Sequence, residues 1–245
     1  MWSSVARRLL GSLRVLKPDL PGRGDNTDLA FPSIEAYADF VAALLEALPA
    51  PLGLVGFSMG GYVALALMKR RPEKVRALAL VDTRSAAEDQ TGKARRDEAI
   101  ADLRTRGVDA VAEAMVPRLL SPESLRSPEL VERVRRIILR QRPETLESDL
   151  TAIRDRPDSS GFLKEIPVPT LVLAGEHDVI STPAESRAMA DAIPGARFVQ
   201  ISGASHLTPM EKPKAVATVL SEFFSASLTK TSSSLGGSSG TTAAG

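Results

Sequence analysis

The chain contains no cysteine. That removes disulfides, thiol nucleophiles and cysteine-ligated metals, and it gives no sign of an oxidising compartment. Histidine is almost as scarce: with only His177 and His206, a His-rich metal centre cannot be built, and neither a metal nor another cofactor is expected. An excess of one charge is missing too. The 31 basic and 30 acidic residues leave a formal net charge of +1, which implies no polyanionic partner such as nucleic acid. No apolar run is long enough to span a membrane, and near the start no continuous apolar core precedes a small-residue cleavage site. The expectation is a cytoplasmic chain that acts on a small molecule. Its 245 residues suit one α/β domain with an inserted subdomain.

Met1 to Lys17 carry Arg7, Arg8, Arg14 and Lys17 without an acid, a composition shared with transit peptides. Val5, Leu9 and Leu13 recur at helical spacing, so an ordinary amphipathic helix accounts for the same residues.

What the chain does have is a stretch around which the rest is arranged, Leu52-Gly53-Leu54-Val55-Gly56-Phe57-Ser58-Met59-Gly60-Gly61. An apolar β-type run enters Gly-x-Ser-x-Gly, and a helix-forming run from Tyr62 to Arg71 leaves it. A strand feeding straight into a helix forces a tight turn whose apex accepts unfavourable dihedrals. Gly56 and Gly60 are expected to let the backbones close that turn, since neither carries a Cβ. Ser58 would then project at a helix N-terminus, where N–H groups and the helix dipole favour developing negative charge. A Gly-rich turn that merely packs a strand on a helix would share the bare pattern.

Around this stretch, strand and helix signals alternate. Leu13–Leu16 reads as a short strand that enters the loop Asp19-Leu20-Pro21-Gly22-Arg23-Gly24. Ser33 caps a helix with Tyr37, Val41, Leu44, Leu45 and Leu48 on one face, and Val75–Val81 is a buried strand that reaches Asp82-Thr83. Such alternation predicts a parallel sheet covered by helices. From Arg84 to about Glu165 strand signals stop, and four charged helices are expected near Gly92–Arg106, Val108–Leu120, Pro128–Arg142 and Pro143–Arg154. Within the third of these, Arg133, Arg136 and Arg140 share a face with Glu129 and Glu132 among them, which predicts a solvated surface. Strands resume at Thr170–Ala174 and Arg197–Ile201, and a closing helix is predicted from Lys214 to about Phe224. The resulting division is a core of 1–83 and 166–224, a helical lid of 84–165, and a disordered Ser/Thr/Gly/Ala tail of 225–245.

A serine hydroxyl needs a general base to take its proton, and near neutrality that base is histidine, oriented by a carboxylate. Asp178 follows a buried strand and His206 follows the last one, so with Ser58 they lie at strand carboxyl ends in the order Ser, Asp, His. Asp82, at the end of an earlier strand, is the alternative carboxylate. His177 points away from Asp178 in an extended backbone and reads as structural.

These residues resemble the α/β-hydrolase fold family, of the esterase, enol-lactonase and cofactor-free haloperoxidase type, over nearly the whole span from Trp2 to Phe224. Asp19–Gly24 resembles that family's loop after its fourth strand; Gly175-Glu176-His177-Asp178 and Gly203-Ala204-Ser205-His206, with Glu211 and Pro213 following, resemble its acid and base segments. The resemblance implies hydrolysis of an ester, lactone or related acyl bond through an acyl-enzyme, with Ser58 as nucleophile, His206 as base, Asp178 as orienter and the Met59 N–H as an oxyanion donor. Two other readings share the same residues: a ligand-binding homologue without turnover, and a haloperoxidase-type perhydrolase. One departure stands out. The family's first three strands, and the His-Gly loop that ends the third, have no counterpart before Trp2. The expectations that follow are about five strands, an elbow strand left at the sheet edge or paired with Leu13–Leu16, and an oxyanion site short of one donor. The last would slow turnover by about a hundred- to a thousand-fold.

Overall fold

The computed structural model describes residues 1–24, 26, 31 and 33–228. Its four strands, β1 (Leu52–Phe57), β2 (Val75–Val81), β3 (Thr170–Gly175) and β4 (Arg197–Ile201), pair in parallel in the order β1-β2-β3-β4. The register sets Phe57 beside Val81, Val81 beside Leu173 and Leu173 beside Val199, so the strands end in one row.

Period-two alternation sorts each strand between two helical layers. Leu78 and Leu80 of β2, with Val172 of β3, pack under α2 (Ile34–Glu46), α3 (Met59–Arg70) and α8 (Pro183–Ala192), among Tyr37, Leu65 and Met189. Ala77, Ala79, Val81, Leu171 and Leu173 point the other way, against Val5 and Leu9 of α1 (Ser3–Leu9) and Val216, Leu220 and Phe223 of α10 (Pro213–Leu228). Leu78, Leu80, Leu171 and Leu173 have no exposed surface, and each contributes about 1.5–3 kcal/mol relative to an exposed leucine. Caps fix the helix starts: Ser33 accepts from Ala36 N–H at 3.2 Å, and Thr182 with Glu185 forms a reciprocal capping box on α8.

Two expectations change. Leu13–Leu16 forms no ladder, so the sheet has four strands rather than five, and β1 is an edge among the described residues. Leu13 and Val15 are half-buried against the α1–α10 side while Arg14 and Leu16 are exposed. Apolar alternation reports one buried side, and a loop lying on the core produces it as readily as a strand. The closing helix also continues past Phe224 to Leu228, which packs on the same cluster. The rest of the expected tail, 229–245, lies outside the described residues.

Between β2 and β3 run α4 (Gln90–Arg106), α5 (Val108–Leu119), α6 (Pro128–Leu139) and α7 (Pro143–Asp155), close to the four helices expected. Arg133, Arg136 and Arg140 are exposed, as the mixed charges of that face predict. One buried ion cluster ties the two ends of this insertion to the core. The Glu88 carboxylate, nearly all of it buried, accepts from Arg84 at 2.8 Å, Arg96 at 3.0 Å and Arg156 at 3.1 Å. Arg156 also donates to Ala86 O at 2.7 Å and stacks 4.2 Å from the ring centroid of Tyr62 on α3. No helix among the described residues is long and apolar enough to cross a membrane.

Candidate active site

Ser58 is the residue between β1 and α3, and its backbone sits at φ 49° and ψ −117°. A non-glycine residue held there is strained, and the surroundings must hold it. Ser58 N–H donates to Val81 O at 2.9 Å, which extends the β1–β2 ladder by one bond into the turn. The room comes from a different pair of glycines than expected. A Cβ on Gly56 would lie 2.5 Å from Gly60 O and 2.8 Å from Gly61 Cα, and one on Gly61 would lie 2.4 Å from Thr83 Oγ1, whereas Gly60 faces open space. Gly56→Ala is therefore expected to destabilise the chain by about 2 kcal/mol through overpacking against backbone that cannot yield. Thermal unfolding checks it, and Gly60→Ala is the near-neutral control for space at this turn.

At the other strand ends the loops bring two buried side chains to Ser58. His206 is 2% exposed and Asp178 3% exposed, while Ser58 itself is only half-buried and so can be reached. His206 Nε2 lies 2.9 Å from Ser58 Oγ, and His206 Nδ1 lies 2.8 Å from Asp178 Oδ2. The other carboxylate oxygen, Oδ1, accepts from Ile180 N–H at 2.7 Å and Ser181 N–H at 3.0 Å. An ionised carboxylate only accepts, so Nδ1 carries the ring proton and Nε2 is free to accept from the Ser58 hydroxyl. Phe57 lies against the imidazole with ring centroids 5.4 Å apart. Met59 opens α3, so its N–H has no acceptor within the helix and lies at the positive end of the helix dipole.

Asp82 is not on the imidazole. It is fully buried, with a left-handed φ of 46°, and it accepts from Gly175 N–H at 2.9 Å and Thr208 Oγ1 at 2.6 Å. It thus clamps the loop that leads to Asp178 to the one that carries His206. Burial pushes its carboxyl well above the usual carboxylate range, with Asp178 adding to the effect, against the hydrogen bonds from Thr208 and Gly175. Glu211 makes a second clamp. Its carboxylate accepts from Ser205 N–H at 2.8 Å and, across to the insertion, from Ser121 N–H at 2.8 Å. His177 is exposed, and its backbone serves the loop: its N–H donates to Ala204 O at 2.8 Å and its carbonyl accepts from Ser205 Oγ at 3.0 Å. Thr83, which the sequence does not single out, donates from Oγ1 to Ser58 O at 2.8 Å.

The loop after Pro18 is docked elsewhere. Arg23 pairs with Asp149 of α7, Tyr37 donates to the same carboxylate at 2.8 Å, and Thr145 Oγ1 donates to Gly22 O at 3.2 Å. The N–H groups of Gly22, Arg23 and Asn26 are hydrogen-bonded within the loop itself, to Asn26 O, Leu20 O and Arg23 O; Asp25 lies outside the described residues. A cleft of about 550 Å³ between α2 and α3, lined by residues such as Ala38, Ala42, Leu67 and Arg70, includes none of the residues around Ser58.

A parallel sheet with helices on both faces, a strained serine at its strand–helix turn, and Asp and His arriving from later strand ends define a hydrolase of the α/β class. The chain belongs to the alpha/beta hydrolase family, whose model matches residues 1–219. Similar solved structures include a thermophilic esterase from Thermogutta terrifontis with malate bound, 36% identical over 93% of this chain and 85% of that one, with a TM-score of 0.88. They also include the enol-lactonase from Burkholderia xenovorans LB400, 30% identical over 91% of this chain and 85% of that one, with a TM-score of 0.83. A pimeloyl-acyl-carrier-protein methyl ester esterase from Neisseria meningitidis is 30% identical over 233 residues, 91% of this chain and 88% of its own length. The chain is an α/β-hydrolase of the carboxylic ester hydrolase type.

Proposed function

We propose that this chain cleaves a carboxylic ester or lactone of a small-molecule acyl substrate through a covalent acyl-enzyme on Ser58. The observation that carries the reading is the continuous relay from Asp178 through His206 to Ser58, at 2.8 and 2.9 Å. In the forward step Ser58 Oγ attacks the carbonyl carbon while His206 Nε2 takes its proton. Asp178 holds the imidazole in the required tautomer and stabilises the imidazolium that forms. The tetrahedral oxyanion accepts from Met59 N–H at the head of α3. His206 then returns the proton to the leaving alkoxide oxygen as the carbonyl–oxygen bond breaks, and a water repeats the sequence to release the acid. Esterases and an enol-lactonase among the similar proteins support this choice of bond.

An alkyl fluorophosphonate reports the nucleophile directly, because it traps an activated serine irreversibly. The wild-type chain is expected to gain one adduct, mapped by peptide mass to Ser58, and Ser58→Ala to gain none. An adduct that persists in Ser58→Ala, or maps to another serine, overturns the assignment.

A further inference from the structure

The turn after Ser58 carries two consecutive glycines, and it is the second, Gly61, whose missing side chain makes room for Thr83. The residue that fills this space is 1% exposed, and its hydroxyl is committed to one acceptor, the carbonyl oxygen of Ser58. That oxygen receives a second bond from Gly61 N–H, also at 2.8 Å. The bond from Gly61 belongs to the first turn of α3. The bond from Thr83 arrives from the end of β2. The Ser58 carbonyl and the Met59 N–H are the two sides of one planar trans peptide and point in opposite directions, so what fixes the oxygen also fixes the hydrogen.

We propose that Thr83 is a positioning residue for the oxyanion donor. Its hydroxyl holds the 58–59 peptide plane so that the Met59 N–H faces the place where negative charge develops beside Ser58 Oγ. By donating to the carbonyl it also polarises the amide, and a polarised amide is a stronger N–H donor. The bond from Thr83 reaches this peptide from outside α3, directly after a residue held at a strained φ of 49°. Thr83 is in turn anchored to the rest of the site. Its carbonyl accepts from Ser186 Oγ at 3.4 Å, and its neighbour Asp82 is clamped to Gly175 and Thr208. The donor's direction is thereby tied to the same framework that carries Asp178 and His206. This inference rests on the acyl-enzyme reading above.

The test compares Thr83→Val, which keeps the branched shape and removes the donor, with Thr83→Ser, which keeps the donor. Turnover of a short p-nitrophenyl ester and inhibition by a trifluoromethyl ketone, which forms the tetrahedral oxyanion on serine, are measured for both. Thr83→Val is expected to lower kcat about five- to ten-fold with KM within two-fold of wild type, the rate equivalent of one net hydrogen bond. Affinity for the ketone should fall by the same factor. Thr83→Ser should restore both to within about two-fold, a rescue that loss of packing alone would not give. If Val at this site lowers the unfolding midpoint by more than a few degrees, Thr83→Ala is read in its place. The inference is overturned if the Val or Ala variant keeps wild-type kcat and ketone affinity while Ser58→Ala is inactive, or if Thr83→Ser is as impaired as Thr83→Val. Turnover that survives in Ser58→Ala removes the acyl-enzyme reading itself, and this inference with it.

Discussion

Asp178→Asn is expected to lower kcat for ester hydrolysis by about 10⁴, the scale of losing the orienting carboxylate in a serine protease. The surroundings of Asp178 say why the amide should fail here in particular. Oδ1 accepts from the N–H groups of Ile180 and Ser181, so an asparagine must keep its oxygen on that side. Its NH₂ then faces His206 Nδ1, which has to become an acceptor. That leaves the proton on Nε2, where it cannot receive one from Ser58. Steady-state kinetics beside a folded control decide the matter. Asp82→Asn should be the milder change, because the Asp82 oxygens bond Gly175 and Thr208 rather than the imidazole. A larger loss from Asp82→Asn would move the acid to the end of β2.

The second large effect concerns stability. Among the described residues Glu88 is the anion that Arg84, Arg96 and Arg156 share, and Glu88→Gln leaves their guanidinium groups around a neutral amide, with Arg84 still paired to Glu185. Breaking a buried pair costs about 3–5 kcal/mol. The lower end applies, since the side chains of Arg84 and Arg96 keep 20% and 22% of their surface in water. For a chain of this length that is roughly a 6–12 °C fall in the unfolding midpoint. The same group makes the fold acid-sensitive in a defined window. Burial alone would raise the Glu88 carboxyl, but its bonds to Arg96, Arg84 and Arg156 outweigh that and hold it at about 2, below the ordinary 4.5. A depressed carboxyl contributes fully above its unfolded value, and the contribution is lost as pH falls from there towards the folded value. Wild type should therefore lose stability between pH 4.5 and about 2, and Glu88→Gln should lose markedly less over that range. Parallel pH dependence in denaturant titrations of both would refute the account.

That Ser58, Asp178 and His206 meet at one end of the sheet was legible in the sequence, because chemistry limits the residue types and the fold limits their order. With no cysteine and two histidines, few alternatives competed. The strands β1 to β4 were legible for a related reason, since each is a short apolar run with punctuation on both sides. Leu13–Leu16 misled because alternation records burial on one side and says nothing about a hydrogen-bonded neighbour. The glycines misled in a similar way. Gly-x-Ser-x-Gly draws the eye to Gly60, yet the close approaches are at Gly56 and Gly61, and it is the folding of β2 beside the turn that brings Thr83 into the second. Glu211 and Asp82 act through backbone N–H and hydroxyl groups of distant loops, a kind of contact that leaves no periodic mark in a chain.

The order of the site along the chain has a consequence for how the enzyme comes into being. Ser58 and His206 are 148 positions apart, and Asp178 and His206 are 28 apart. The serine turn is local: it needs β1, β2 and α3, all complete by Val81. His206 needs β4, and Ala204 of its loop packs against α10, which ends at Leu228. Contacts of such long separation close late and slowly, because the chain entropy of the intervening segment must be lost first. A nascent or refolding chain can therefore carry a formed serine turn long before His206 reaches Ser58. Fraying of the last strand or helix would likewise part His206 from Ser58 while Ser58 N–H keeps its bond to Val81 O.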